Sequence, residues 1–142
     1  TGVQVKDSAA LGVTVLGNAF QTAGNGSWAC IQAPGPAVFD AVDYNLCEMP
    51  PSAGQASWFG DGSSLSAWQD ATGFDAHSIA GPAGFLLTGA LTFDLSPAPG
   101  SKLIDAGPTQ GCPSVDIDGA PRPVGAACDI GAYEASEPPV TP

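Results

Sequence analysis

The chain has 142 residues, and its three basic against 14 acidic side chains leave a net charge of −11. Three scattered cations cannot neutralise a run of phosphates, which excludes nucleic acid and anionic membrane surfaces as partner classes. With 19 Gly, 14 Pro and only 12% charged residues, the composition favours many short strands and turns over long helices.

Near the N-terminus, Val3, Val5, Leu11, Val13 and Val15 alternate with small or polar residues, the period of a strand. A second strand-like set runs from Ala37 through Phe39, Val42 and Tyr44 to Leu46. Between Ser63 and Gly73 the pattern changes to that of a helix. Ser63 or Ser64 serves as its cap, Leu65 and Trp68 share one face, and Gly73 stops it. A third strand-like set follows at Phe85–Leu87 and at Leu91, Phe93 and Leu95. Short strands separated by turns fit a sandwich, a barrel or a β-helix. Two details favour the solenoid: Asn18 and Asn45 each follow an apolar strand by a short step and precede another apolar side chain. Asn at a coil corner tolerates left-handed backbone angles and can hydrogen-bond to the next coil.

No apolar run approaches the ~18 residues of a membrane-spanning helix, so membrane insertion is not expected. His77 is the single histidine and no C-x-x-C occurs, which argues against zinc. Of the possible cysteine connectivities the simplest is two local disulfides, Cys30–Cys47 and Cys112–Cys128. Such bridges imply an oxidising compartment, hence an extracellular or cell-surface protein. The chain starts at Thr1 in mid-pattern, which reads as a mature or trimmed product.

The last third carries the most specific signal. Leu95–Gly107 reads L-S-P-A-P-G-S-K-L-I-D-A-G, and Asp116–Glu134 reads D-I-D-G-A-P-R-P-V-G-A-A-C-D-I-G-A-Y-E. Earlier, Leu65–Ser78 places Leu, Trp and Gln ahead of Gly73-Phe74-Asp75-Ala76-His77-Ser78. Together these blocks resemble the C-terminal region of secreted bacterial right-handed parallel β-helix repeat proteins, of the choice-of-anchor and pectate-lyase-like superfamily. The resemblance implies a solenoid whose last coil is built from the two C-terminal blocks. It also implies that any activity sits on central coils, which would precede Thr1. The chain departs from the family pattern at Gly81–Phe85 and at Ser101–Asp105, both turn positions.

Three groups of residues are candidates for chemistry. Asp75 and His77 share a strand face, so the carboxylate can orient the imidazole, whereas Ser78 points the other way and cannot share the His77 proton. The expected role of Asp75 and His77 is structural, a bridge between coils, with catalysis as the alternative. Asp116 and Asp118 begin like a calcium loop, and Asp129 joins them if the Cys112–Cys128 loop folds back; Ca²⁺ is therefore the candidate cofactor. The competing role for these aspartates is turn capping. Trp58 and Phe59, in a Gly/Ser-rich stretch, are the candidate glycan platform. A polysaccharide lyase needs cations and a base, which Lys6, Lys102 and Arg122 are too scattered to supply, while inverting hydrolysis needs only two carboxylates.

These observations lead to an all-β expectation: a right-handed parallel β-helix of about four to six coils over residues 1–134, with one short inserted α-helix. Residues 135–142 are expected to form a Pro-rich tail or linker. The expected role is a non-catalytic extracellular structural module that associates with itself head-to-tail, into polymers or filaments, through its open coil end. The alternative is a glycan-binding module or the terminal fragment of a polysaccharide-degrading enzyme.

Overall fold

The computed structural model describes residues 2–21, 27–48, 55–59, 64–88 and 93–136, without the side chains at 27–28, 55–59 and 87–88. Its regular elements are mostly strands. Three short strands open it: β1 (Val3–Gln4), β2 (Val13–Leu16) and β3 (Ala19–Gln21). A second trio repeats them as β4 (Ser27–Gln32), β5 (Phe39–Asp43) and β6 (Leu46–Glu48). A third pass consists of β7 (Gln55–Phe59), the α-helix α1 (Leu65–Thr72) and β8 (Ile79–Ala80). The chain then forms β9 (Phe85–Thr88) and β10 (Phe93–Pro97), followed by a long turn-rich segment.

All pairings among the first eight strands are parallel, in three ladders ordered β1-β4-β7, β2-β5 and β3-β6-β8. The offset between layers is nearly constant. Gln4 bonds Gln32 across a separation of 28, and Asn18 bonds Asn45 across a separation of 27. In the third pass the step grows to 33 between Asn45 and Ser78, and the extra length carries α1. The helix occupies the place in the third pass that β2 and β5 hold in the first two. Its ends follow local rules: the Ser64 side chain accepts the Ala67 amide at 3.2 Å, and Gly73 closes the helix at φ 73°.

Strand alternation on the β3-β6-β8 ladder produces two apolar cores. Phe20 and Cys47 face inward, into a cluster with Val15, Ile31, Val38, Phe39 and Val42. Trp68 from α1 closes that cluster, stacked near Phe74, which in turn meets Phe39 edge-on. The neighbouring residues Ala19, Leu46 and Ile79 face outward, and the C-terminal segment covers them with Leu103 and Ile130. The last third therefore lies along the outside of this ladder. Among the described residues it contributes no further strand stacked beneath β8, where a last coil was expected. The β9–β10 pair is antiparallel, a second departure from an all-parallel arrangement.

The cysteines pair as Cys30–Cys47 and Cys112–Cys128. The first bridge joins β4 to β6 inside one layer, and the second ties two parts of the C-terminal segment together. Residues 137–142 of the expected tail fall outside the described residues.

Candidate functional site

Successive layers meet at a corner between the second and third ladders, and the corner is hydrogen-bonded from layer to layer. Gly17 and Tyr44 take the left-handed backbone at φ 67° and 54°, so the turn is made one residue before each asparagine. The asparagines contribute through their side chains. The Asn18 backbone amide and Nδ2 both donate to Asn45 Oδ1, each at 3.1 Å. Asn45, fully buried, donates from Nδ2 to the Val15 carbonyl at 3.0 Å and to Asp75 Oδ1 at 3.1 Å. Each layer thus supplies donors to the next.

Asp75 ends this series. It is fully buried, sits at φ 57°, and accepts from Trp68 Nε1 at 2.8 Å and from Ser78 Oγ at 2.5 Å. Its carboxylate holds the helix, the corner and the Ser78 turn in one place. His77 is held by a different residue. Its Nδ1 pairs with Asp43 Oδ2 at 2.7 Å, its backbone amide donates to Asp43 Oδ1 at 2.8 Å, and its ring stacks on Tyr44 at 4.7 Å. The expected Asp75–His77 pair is therefore corrected. Asp75 is directed inward, while the His77 side chain is 60% exposed and reaches the preceding layer. The inter-layer bridge exists, but Asp43 makes it.

In the C-terminal segment the acidic side chains bind backbone amides. Asp116 Oδ1 accepts from Asp118 and Ala120, and its Oδ2 accepts from Glu134, at 2.8–3.0 Å. Asp129 accepts from Asp105 at 2.8 Å and from Ala135 at 2.7 Å. Asp105 accepts from Ala126 and Ala127. Glu134 accepts from Val124 and Asp129, and pairs with Arg122 Nε at 2.8 Å. Arg122 also donates to the carbonyls of Gly131 and Asp129. Both partners of the Arg122–Glu134 pair are nearly inaccessible, with side chains 6% and 2% exposed.

The Glu134 amide, ahead of those of Ala120 and Asp118, holds the Asp116 carboxyl below its ordinary range against the opposing effect of burial. Burial pushes the Asp129 carboxyl above that range, against the Asp105 and Ala135 amides.

The calcium set of Asp116, Asp118 and Asp129 is not assembled. Asp118 is exposed, and the oxygens of the other two are directed at amides. Among the described residues no group of three or more His, Cys, Asp or Glu is placed to hold a metal. Trp58 and Phe59 lie on β7, and their side chains fall outside the described residues.

A cleft of about 350 Å³ opens between the corner residues Leu16, Gly17 and Tyr44 and the bridge at Cys112 and Cys128. Its polar wall includes Arg122 and Asp129, both engaged as described above. Residue spacing gave no notice of the roles of Asp43 or Glu134, because Asp43 acts on a residue 34 positions on, in the next layer, and Glu134 acts on an irregular segment without a repeating spacing. Among the described residues no helix is long and apolar enough to cross a membrane. Compared with models of known families, with curated proteins and with solved structures, the chain shows no match.

Proposed function

We propose that this chain is a non-catalytic, extracellular structural module, a short right-handed parallel β-helix that associates with copies of itself through the outermost strands of its ladders. The repeating offset of 26 to 28 residues between the first two layers, in all three parallel ladders, supports the β-helix reading. Right-handedness follows from the strong chirality preference of parallel crossovers. The described layers make three passes, short of the four to six expected, with α1 replacing a strand in the third. Two disulfides support an oxidising, extracellular setting.

One observation carries the reading. Asp75, Asp116, Asp129, Arg122 and Glu134 each hold other parts of the fold in place, and His77 bridges two layers through Asp43, while among the described residues no strand pairs with the outer side of β1, β2 or β3. Each of β1, β2 and β3 is the outermost strand of its ladder. Open edges are pairing templates. The carbohydrate alternative rests on Trp58 and Phe59, whose side chains are outside the described residues, and nothing in the described geometry adds to it.

Amide hydrogen exchange at increasing protein concentration tests the proposal. The amides of β1, β2 and β3 are expected to slow as concentration rises, while those of α1 do not. Exchange independent of concentration at all three strands would overturn the stacking role.

A further inference from the structure

We propose that the Cys112 sulfur is a thiol–disulfide exchange site for a low-molecular-weight thiol, reached from the cleft beside Tyr44. Exchange there frees residues 108–113 and leaves the rest of the fold in place.

The two bridges sit in opposite surroundings. Cys30 and Cys47 are 0% and 2% exposed and belong to the apolar core with Val15, Ile31 and Val42. An attacking thiolate would have to carry its charge into that core, which is costly without a partner. Cys112 is partly exposed, and it lines the cleft of about 350 Å³ together with Cys128 and Tyr44. Exchange depends on access to the sulfur under attack, so the fold directs a thiol to this bridge. It also selects the sulfur: Cys128 is fully buried, which leaves Cys112 as the one open to attack. The segment around Cys112 is held by little else. Gly107 donates its amide to the Cys128 carbonyl at 2.7 Å, and the Ser114 carbonyl accepts the Arg122 amide at 3.0 Å. Between those fixed ends, residues 108–113 make no hydrogen bond to another described residue. Pro108 and Pro113 have no amide proton to give.

The chemistry balances with the thiol as its one co-reactant. The thiolate attacks Cys112 Sγ and a new sulfur–sulfur bond forms there, while the bond to Cys128 breaks and its electron pair goes to Cys128 Sγ. The thiol sulfur is oxidised, Cys128 is reduced, and the Cys128 thiolate takes up the proton that the incoming thiol released to solvent. The Arg122 guanidinium donates to the carbonyls of Asp129 and Gly131 and also lines the cleft, and a nearby cation favours a leaving thiolate. Attack by Cys128 on the mixed disulfide expels the thiol and restores the bridge, so the step is reversible. While the bridge is open, residues 108–113 keep only their two ends, and that wall of the cleft loses its latch. The surrounding segment stays, because the Arg122–Glu134 pair and the amide bonds to Asp116 and Asp129 do not pass through the bridge.

Timed exposure of the intact 142-residue chain to L-cysteine, without denaturant, tests the site. Excess N-ethylmaleimide stops the reaction, and peptide mass spectrometry assigns each cysteine as bridged, maleimide-capped or carrying the added thiol. The expected result is loss of the Cys112–Cys128 bridge while Cys30–Cys47 stays closed, with the added thiol on Cys112 and the cap on Cys128. Circular dichroism is expected to keep its native signal over the same interval. Opening of both bridges together, capture of the thiol on Cys128, or loss of the native signal in step with the Cys112–Cys128 bridge would each overturn the proposal. In urea strong enough to unfold the chain, the two bridges are expected to open at like rates. A preference for Cys112 that persists there would overturn it as well, because it would belong to the local sequence and not to the folded site.

Discussion

Asp75 collects hydrogen bonds from three directions: the indole of Trp68, the amide of Asn45 and the hydroxyl of Ser78. Removing a buried acceptor leaves its donors without a partner, a penalty of ~1–3 kcal/mol for each group. Asp75→Ala is therefore expected to destabilise the fold by about 3 kcal/mol or more in urea unfolding. Asp43→Ala, which acts at a half-exposed pair, should cost less than ~1 kcal/mol in the same assay. Equal effects at the two positions would contradict the assignment of Asp75 as the buried node. Two other carboxyls are expected to titrate on opposite sides of the ordinary aspartate value, Asp116 below and Asp129 above. For Asp116, a lowered folded pKa means stabilisation at higher pH that is lost as pH falls through that value. For Asp129 the sign reverses: the folded state binds the proton more tightly, so its contribution weakens as pH rises through the raised value. Carboxyl NMR titration distinguishes the two. At this scale the sequence showed which side chains mattered better than it showed their partners. Asp75 and His77 look paired because strand alternation puts them on one face. The observed left-handed Asp75 backbone breaks that alternation and sends them apart.

Elements were more legible than pairs. The helix start at Ser64, its inward Trp68 and its stop at Gly73 all follow from rules spanning one turn of chain, and α1 obeys them. Ser64→Ala is expected to cost about 1 kcal/mol of stability, measured by thermal or urea unfolding, since the Ala67 amide loses its acceptor. The corners at Asn18 and Asn45 were also visible, although the left-handed angle belongs to the preceding residue in each case. The Cys30–Cys47 bridge fastens β4 to β6, and replacing both residues by Ser should remove ~3 kcal/mol on the chain-entropy account. What local rules could not reveal was the two-sided use of the third ladder. Ala19 and Leu46 alternate with Phe20 and Cys47, a pattern that states which residues oppose each other and says nothing of what covers the outer face.

For the molecule as a whole, that outer cover is itself held together by charge, through Arg122 and Glu134. Arg122 and Glu134 are both buried, and breaking such a pair by removing one partner leaves an uncompensated charge, at a cost of roughly 3–5 kcal/mol. Arg122→Ala should loosen the C-terminal segment from the β3-β6-β8 ladder and expose Leu46, Leu103 and Ile130, which increased binding of an apolar dye would report. An unchanged dye signal with unchanged stability would show that the segment is held by packing alone. Gly107 tests the same closure by shape: a Cβ there would lie 2.5 Å from the Cys128 carbonyl oxygen. The resemblance in the last third pointed to a stacked coil, yet the same residues serve as a clasp across the side. Their carboxylates and arginine suit that role because each can gather several amides or carbonyls of an irregular chain.

The near-constant spacing of the corners makes the molecule a ruler. Each layer adds about 4.8 Å of height, the distance between neighbouring strands in a sheet. A tandem copy of residues 19–45, 27 residues long, would lengthen the body by one such mark and return every side chain to its own face. A copy one residue shorter would turn the following strands inside out. Change in this protein's length is therefore quantised by the Asn18–Asn45 step, and variants of intermediate length would have to absorb the remainder in a bulge or a helix, as the third pass does with α1.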